Sequence, residues 1–162
     1  YAAGLRRKLG ILAVDDESAA EDLALVRDLL ALMAEGGADF TLTFRHLNAA
    51  TENSAEDEML ATLFGNDADP RPWLARWRAR LLADHASREE RQDVMRCANP
   101  ALIPRNHKVE QAIAAAVEHD DFALFHSMVE GLSWPFDDDP DYADLALPPR
   151  PGEEVRETFC GT

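Results

Sequence analysis

The stretch SAAEDLALVRDLLALMAEGG, residues 18–37, decides the fold class. Its apolar residues recur every three or four positions, which is the spacing of an α-helix that buries one side. One apolar row consists of Leu23, Val26, Leu30 and Met33. Ser18 and Glu21 predict a capping box at the start, and Gly36 with Gly37 predicts the end. Because alternating strand patterns are nearly absent elsewhere, we predict an all-α fold.

Similar capping and helix-breaking residues divide the rest of the chain into predicted helices. Asp39 begins a second periodic segment, Ser87 and Glu90 form another potential capping box, and Pro100 with Pro104 interrupts helical structure. Tryptophans at 73 and 77 are predicted to anchor their helix in the core, and Asn106 is predicted to cap a later helix. We predict an irregular multi-helix bundle over residues 1–133. Residues 134–162 are predicted to form an extended, acidic and proline-rich tail, packed on the bundle with a mobile C-terminus.

Composition excludes several classes of function. The 162 residues carry 31 Asp or Glu against 16 Lys or Arg, a formal net charge of -15, so neither nucleic acid nor an anionic membrane is an expected partner. No apolar run is long enough to cross a membrane. With two cysteines and no signal-peptide pattern, we expect a cytoplasmic protein. The first residue is Tyr1, so we expect a piece of a longer polypeptide.

The familiar catalytic and phosphate-binding motifs are missing from the sequence. The histidines are not spaced as zinc ligands, and the aspartates of residues 137–144 do not follow an EF-hand pattern. We expect a solvated acidic turn there. Four arginines could suggest a phosphate site, but their spread around one helix favours pairing with acidic side chains. They are Arg71, Arg76, Arg78 and Arg80.

The two cysteines are expected to differ in exposure. Cys97 ends an amphipathic helix, where a thiol is usually buried. Cys160 lies third from the end of the chain, between Phe159 and Gly161, where an accessible thiol could undergo exchange or oxidation. Cys160 is therefore the candidate redox residue. We predict no catalytic, cofactor-binding or metal-binding residue in this chain.

Three segments resemble the C-terminal third of the selenoprotein O family: KLGIL at 8–12, ADFTLTFRHL at 38–47 and NPALIPRNHKVEQAIAAAVEHDDFALFHSMVEGLSWPF at 99–136. The terminus TFCGT is similar to the end of that family as well. The resemblance implies a protein adenylyltransferase on an atypical kinase fold, which transfers AMP from ATP to Ser, Thr or Tyr hydroxyls of protein substrates and uses Mg²⁺. The ATP-binding and metal-binding residues of the family cannot be mapped onto this chain.

The resemblance further implies a disulfide between Cys160 and a cysteine of the kinase core, which this sequence lacks. We therefore expect a free thiol at Cys160. Our expectation is a catalytically silent C-terminal region that packs against the absent kinase-like lobe, with an exposed apolar face that a homodimer could also bury. Two alternatives stay open: a stand-alone helical protein-interaction module, and a redox-sensing module acting through Cys160.

Overall fold

A computed structural model describes residues 2–13, 18–51, 55–65 and 68–155. Within these ranges the chain contains nine α-helices and one short 3-10 helix, and no strand. The predicted all-α class is confirmed. The chain divides into two compact units, Tyr1–Asn99 and Pro100–Thr162. This boundary lies before the predicted one, and the predicted division after residue 133 stays a prediction.

The first unit contains six α-helices, and the second contains three α-helices and the 3-10 helix in the described residues. In chain order the first six are α1 (Ala2–Lys8), α2 (Ala19–Gly36), α3 (Phe40–Ala50), α4 (Glu56–Thr62), α5 (Arg71–Ala83) and α6 (Arg88–Ala98). The second unit contains α7 (Asn106–His119), α8 (Ala123–Gly131), a 3-10 helix (Pro140–Tyr142) and α9 (Ala143–Ala146). The segment between Pro100 and Pro104 is non-helical, as predicted.

Most of the predicted helix ends agree with the structure. Gly37 adopts the left-handed conformation that ends α2, with φ at 63°. The Asp39 side chain accepts a hydrogen bond from the Leu42 backbone N–H, and Ser87 with Glu90 forms the predicted capping box. The capping box at Ser18 is wrong. Ser18 has helical backbone angles, and its hydroxyl instead accepts a 3.4 Å hydrogen bond from Arg80 of α5.

The two tryptophans of α5 lie at the centre of the first unit. Both indoles are buried, and their rings stack at a centroid distance of 5.8 Å. The Trp73 indole N–H donates to the Leu25 carbonyl at 2.8 Å, and the Trp77 indole N–H donates to the Leu9 carbonyl at 2.9 Å. These bonds connect α5 to α2 and to the end of α1. The predicted anchoring role of the tryptophans is confirmed. Leu82, on the same helix, is 86% exposed.

The second unit has a small core of its own. Its buried apolar residues are Leu102, Ala112, Met128 and Leu145. Gly131 allows close packing at the end of α8, because a Cβ there would lie 2.9 Å from atoms of Leu102 and Tyr142. A side chain at position 131 would therefore force these neighbours apart.

The predicted extended tail is not confirmed. Residues 140–146 form the 3-10 helix and α9 instead, because Asp139 accepts the Asp141 backbone N–H and Leu145 is buried in the core. Trp134, at the start of the predicted tail, is 73% exposed. The predicted mobile terminus falls in residues 156–162, which lie outside the described residues. None of the helices in the described ranges is both long and apolar enough to span a membrane.

We predict that Trp77→Phe lowers the free energy of unfolding by about 2 kcal/mol, because it opens a cavity and removes the N–H donor of the Leu9 carbonyl. Leu82→Ala, on the exposed side of the same helix, should change it by less than about 0.5 kcal/mol. Urea unfolding followed by circular dichroism measures both. Equal losses in the two variants would contradict the anchoring role of Trp77.

Candidate functional site

The four arginines of α5 pair with aspartates, as predicted. Each guanidinium lies within 3 Å of a carboxylate oxygen. The pairs are Arg71–Asp69, Arg76–Asp28, Arg78–Asp57 and Arg80–Asp22. Arg78 also donates to the Ala50 carbonyl and Arg80 to the Ala13 carbonyl, so these two arginines hold the ends of other segments. The interpretation of this set as a structural face rather than a phosphate site is supported by the geometry.

Asp22 is a buried carboxylate with two cationic partners. Its side chain has no exposed surface and lies 3.3 Å from the Arg6 guanidinium and 2.7 Å from that of Arg80. A buried charge is tolerated only when it is paired and hydrogen-bonded, and both conditions are met here. The interaction joins α1, α2 and α5, so it is a structural contact.

A second buried ionic group closes the end of α5. One carboxylate oxygen of Asp84 accepts the backbone N–H groups of Leu12 (2.7 Å) and Ala13 (3.0 Å), and the other accepts that of Ala86 (3.0 Å). Arg91 donates to the Gly10, Leu81 and Asp84 carbonyls. Burial by itself would raise the pKa of Asp84, but the three N–H donors and the Arg91 charge outweigh it and lower the pKa below its ordinary value.

Asn99 carries a third polar network that sequence reasoning missed. Its side chain is fully buried and donates to the Lys8 carbonyl (2.9 Å) and to the Asn48 side-chain oxygen (2.8 Å). The Asn99 carbonyl accepts from Arg45 at 3.1 Å. Lys8 donates to the Ala98 carbonyl, and burial lowers its pKa. No local pattern marks these residues, because they come from three separate segments of the chain: α1, α3 and the end of α6.

The segment PRNH, residues 104–107, has a structural role. Arg105 is buried, and its guanidinium donates two hydrogen bonds, of 3.2 and 3.0 Å, to the Ala146 carbonyl at the end of α9. The predicted cap at Asn106 is wrong by one position, since Arg105 is the N-cap and Asn106 is the first helical residue. His107 is buried in the first turn of α7.

The cysteines and the potential metal ligands give no assembled site in the part of the chain that the structure describes. Cys97 is a free and exposed thiol, so the expectation that it is buried is wrong. It is the last residue but one of α6 and lies on the exposed side of that helix. Cys160 lies outside the described residues, and its redox role stays a prediction. Among the described residues, no three His, Cys, Asp or Glu side chains are grouped so that they could hold a metal ion.

The candidate functional site is an apolar groove on the second unit, which we call the α7–α8 groove. Apolar positions of α7 and α8 repeat at helical spacing, and the left-handed Asp120, with φ at 54°, separates the two helices. The groove has a volume of about 420 Å³. It is lined by Val109, Ala112, Ile113, Ala116, Phe122, Phe125, Met128, Val129 and Leu132. With no charged or hydrogen-bonding side chain in its lining, this surface is suited to binding apolar groups rather than to acid-base chemistry.

Comparison with known proteins places this chain in a protein nucleotidyltransferase family. Relatives called protein nucleotidyltransferase YdiU cover nearly its whole length. The Rhizobium meliloti (strain 1021) protein is 53% identical over 159 residues, which are 98% of this chain and 32% of the relative. The Rhizobium rhizogenes (strain K84) and Bradyrhizobium diazoefficiens proteins are each 48% identical over 162 residues, which are all of this chain and 32% of each relative.

The family is SelO. Its model, described as protein adenylyltransferase SelO, matches residues 1–133, and the chain belongs to this family. The resemblance to the selenoprotein O family is therefore confirmed. The chain spans about a third of the length of the curated relatives that it matches. The matched region includes the whole α7–α8 groove.

We predict that Asp84→Asn lowers the free energy of unfolding by about 2 kcal/mol at neutral pH, because the amide nitrogen cannot accept the N–H bonds of the carboxylate. The lowered pKa of Asp84 means that the carboxylate stabilises the fold fully above its ordinary value of 3.8. This contribution is lost as the pH falls from there through the folded-state pKa. Urea unfolding at pH 7 and at pH 3 measures the change.

The difference between the wild type and Asp84→Asn should therefore shrink at the lower pH. Asp93→Asn is the matched control, because Asp93 pairs with Arg96 on the exposed side of α6. It should stay within about 0.5 kcal/mol of the wild type. A difference for Asp84→Asn that is the same at both pH values would show that its carboxylate does not stabilise the fold as described.

Proposed function

We propose that this chain is the C-terminal helical region of a selenoprotein O-type protein adenylyltransferase, and that it is catalytically silent alone. In the whole polypeptide, residues outside this chain would bind ATP and Mg²⁺. An acceptor hydroxyl of Ser, Thr or Tyr would attack the α-phosphorus of ATP, so that AMP is transferred and pyrophosphate leaves. The observation that carries the proposal is family membership combined with coverage of about a third of the relatives' length.

The use of the cationic side chains supports a scaffold role. A site for a triphosphate needs cations that are available to the phosphate oxygens. Here Arg6, Arg78, Arg80 and Arg91 are bound to carboxylates or to backbone carbonyls of neighbouring segments. Removing any of them from its partner would leave a partly buried group unsatisfied. We propose the cytoplasm as the compartment of the whole protein, in keeping with the two cysteines and the acidic charge of this chain.

One observation favours a second candidate function. The α7–α8 groove is apolar throughout its lining, which is the chemistry of a protein-binding surface. A stand-alone helical interaction module would use the same groove without any enzymatic context. The two functions predict different results when this chain replaces the matching segment of an intact relative. A region of the enzyme should keep AMP transfer, whereas a stand-alone interaction module should not.

The test compares three proteins: this chain, the full-length Rhizobium meliloti relative, and a chimera in which this chain replaces the matching 159 residues of that relative. Each is incubated with Mg²⁺, a protein extract and ATP labelled in the α-phosphate. We expect label on protein with the relative and the chimera, and none with this chain alone. ATP labelled in the γ-phosphate is the control, because AMP transfer leaves that label in pyrophosphate.

Incorporation catalysed by this chain alone, or its saturable binding of MgATP in calorimetry, would contradict catalytic silence. A chimera whose unfolding temperature lies within a few degrees of that of the relative, but which transfers no AMP, would contradict a role of this chain as part of the enzyme. It would favour the interaction module. Incorporation of the γ-label would indicate phosphoryl transfer and would contradict the proposed reaction.

A further inference from the structure

Several large apolar side chains in and beside the α7–α8 groove are exposed to solvent. Ile113 and Val117 follow each other at one helical turn on α7, and Phe125 and Val129 do so on α8. Their exposed fractions range from 50% for Phe125 to 80% for Val117. Ile113, Phe125 and Val129 line the groove, and Val117 is exposed one turn beyond Ile113. Single exposed apolar residues are common, but several around one groove form a patch of the kind that marks an interaction site.

The shape of the groove indicates the form of its partner. Two helices with a row of large side chains on each, and small residues such as Ala112 and Ala116 between them, form a trough that accepts a third helix. Helix-in-groove recognition places apolar residues at i, i+3, i+4 and i+7 of the incoming helix into such a trough. An apolar helix face is therefore the complementary surface.

The charge of the second unit indicates what flanks that helix face. Residues 100–162 carry thirteen Asp or Glu and four Lys or Arg, a difference of nine negative charges. Glu110 and Asp121 are exposed and are adjacent in the sequence to the lining residues Val109 and Phe122. A second copy of this chain would bring two such acidic surfaces together, which disfavours association, whereas Lys or Arg beside the apolar face would favour it.

We propose that the α7–α8 groove docks an amphipathic helix, apolar on one face and flanked by Lys or Arg, in the two thirds of the parent polypeptide that this chain does not cover. The inference rests on the proposed function. Two observations support this occupant over an independent partner: the groove lies within the region matched by the family model, and the relatives are about three times as long as this chain. Within one polypeptide, the high effective concentration favours docking through a groove of modest size.

The proposal is tested by the accessibility of an introduced thiol. Ile113→Cys places a thiol in the groove, and Leu82→Cys, on the exposed side of α5, is the matched control. Both are made with Cys97 and Cys160 replaced by Ser, in this chain alone and in the full-length chimera. The rate of alkylation is measured by mass spectrometry for each protein.

We expect alkylation at position 113 to be slower in the chimera than in the isolated chain by about tenfold or more, and alkylation at position 82 to change by less than about twofold. Raising NaCl from about 0.05 to about 0.5 M should reduce the protection at 113 if basic residues flank the helix. Protection that does not depend on salt would contradict the basic flanks.

The remaining outcomes separate the proposals from each other. A chimera that transfers AMP but alkylates position 113 at the rate of the isolated chain would overturn the docking proposal and leave the proposed function intact. A chimera that unfolds within a few degrees of the relative but transfers no AMP would overturn the proposed function. Sedimentation velocity of the isolated chain tests the second copy: a dimer that is lost in Ile113→Glu but kept in Leu82→Glu would assign the groove to self-association and overturn the proposal.

Discussion

The first unit depends on the burial of two indoles on one helix. Trp73 and Trp77 stack on each other, and each donates its N–H to a carbonyl of a different segment. A buried indole needs an acceptor, so these two bonds fix the position of α5 relative to α2 and to the end of α1. The arginines on the other sides of α5 then find their aspartates at short range, because the helix positions are already set.

This arrangement explains why the unit is rich in charge and yet has no assembled polar site in the residues described. Asp22, Asp84 and Arg91 are buried, and each is satisfied by groups from other segments. Such groups are costly to expose or to separate, so they stabilise a single arrangement of the helices. These groups hold the helices together, and the α7–α8 groove is the surface that we propose for recognition.

Local features were predictable from the sequence, whereas contacts between distant segments were not. The capping box at Ser87, the end of α2 at Gly37 and the break after Pro100 depend on residues a few positions apart. The Asn99 network joins three separate segments, and no local pattern marks it. The helices of 140–146 were missed because proline and aspartate are common in extended segments, although both are also favoured in a first helical turn.

The α7–α8 groove also shows what the sequence could not predict. The apolar periodicity of α7 and α8 was visible in the sequence, but periodicity identifies a face and not its partner, so a core and a docking surface look alike. The small core of the second unit decides between them, because four buried residues use only part of the apolar surface of these helices. Ile113, Val117 and Val129 are left in solvent. Apolar surface that the core of its own region leaves exposed marks an interaction site. Under the docking proposal, the α7–α8 groove completes its packing against another part of the same polypeptide.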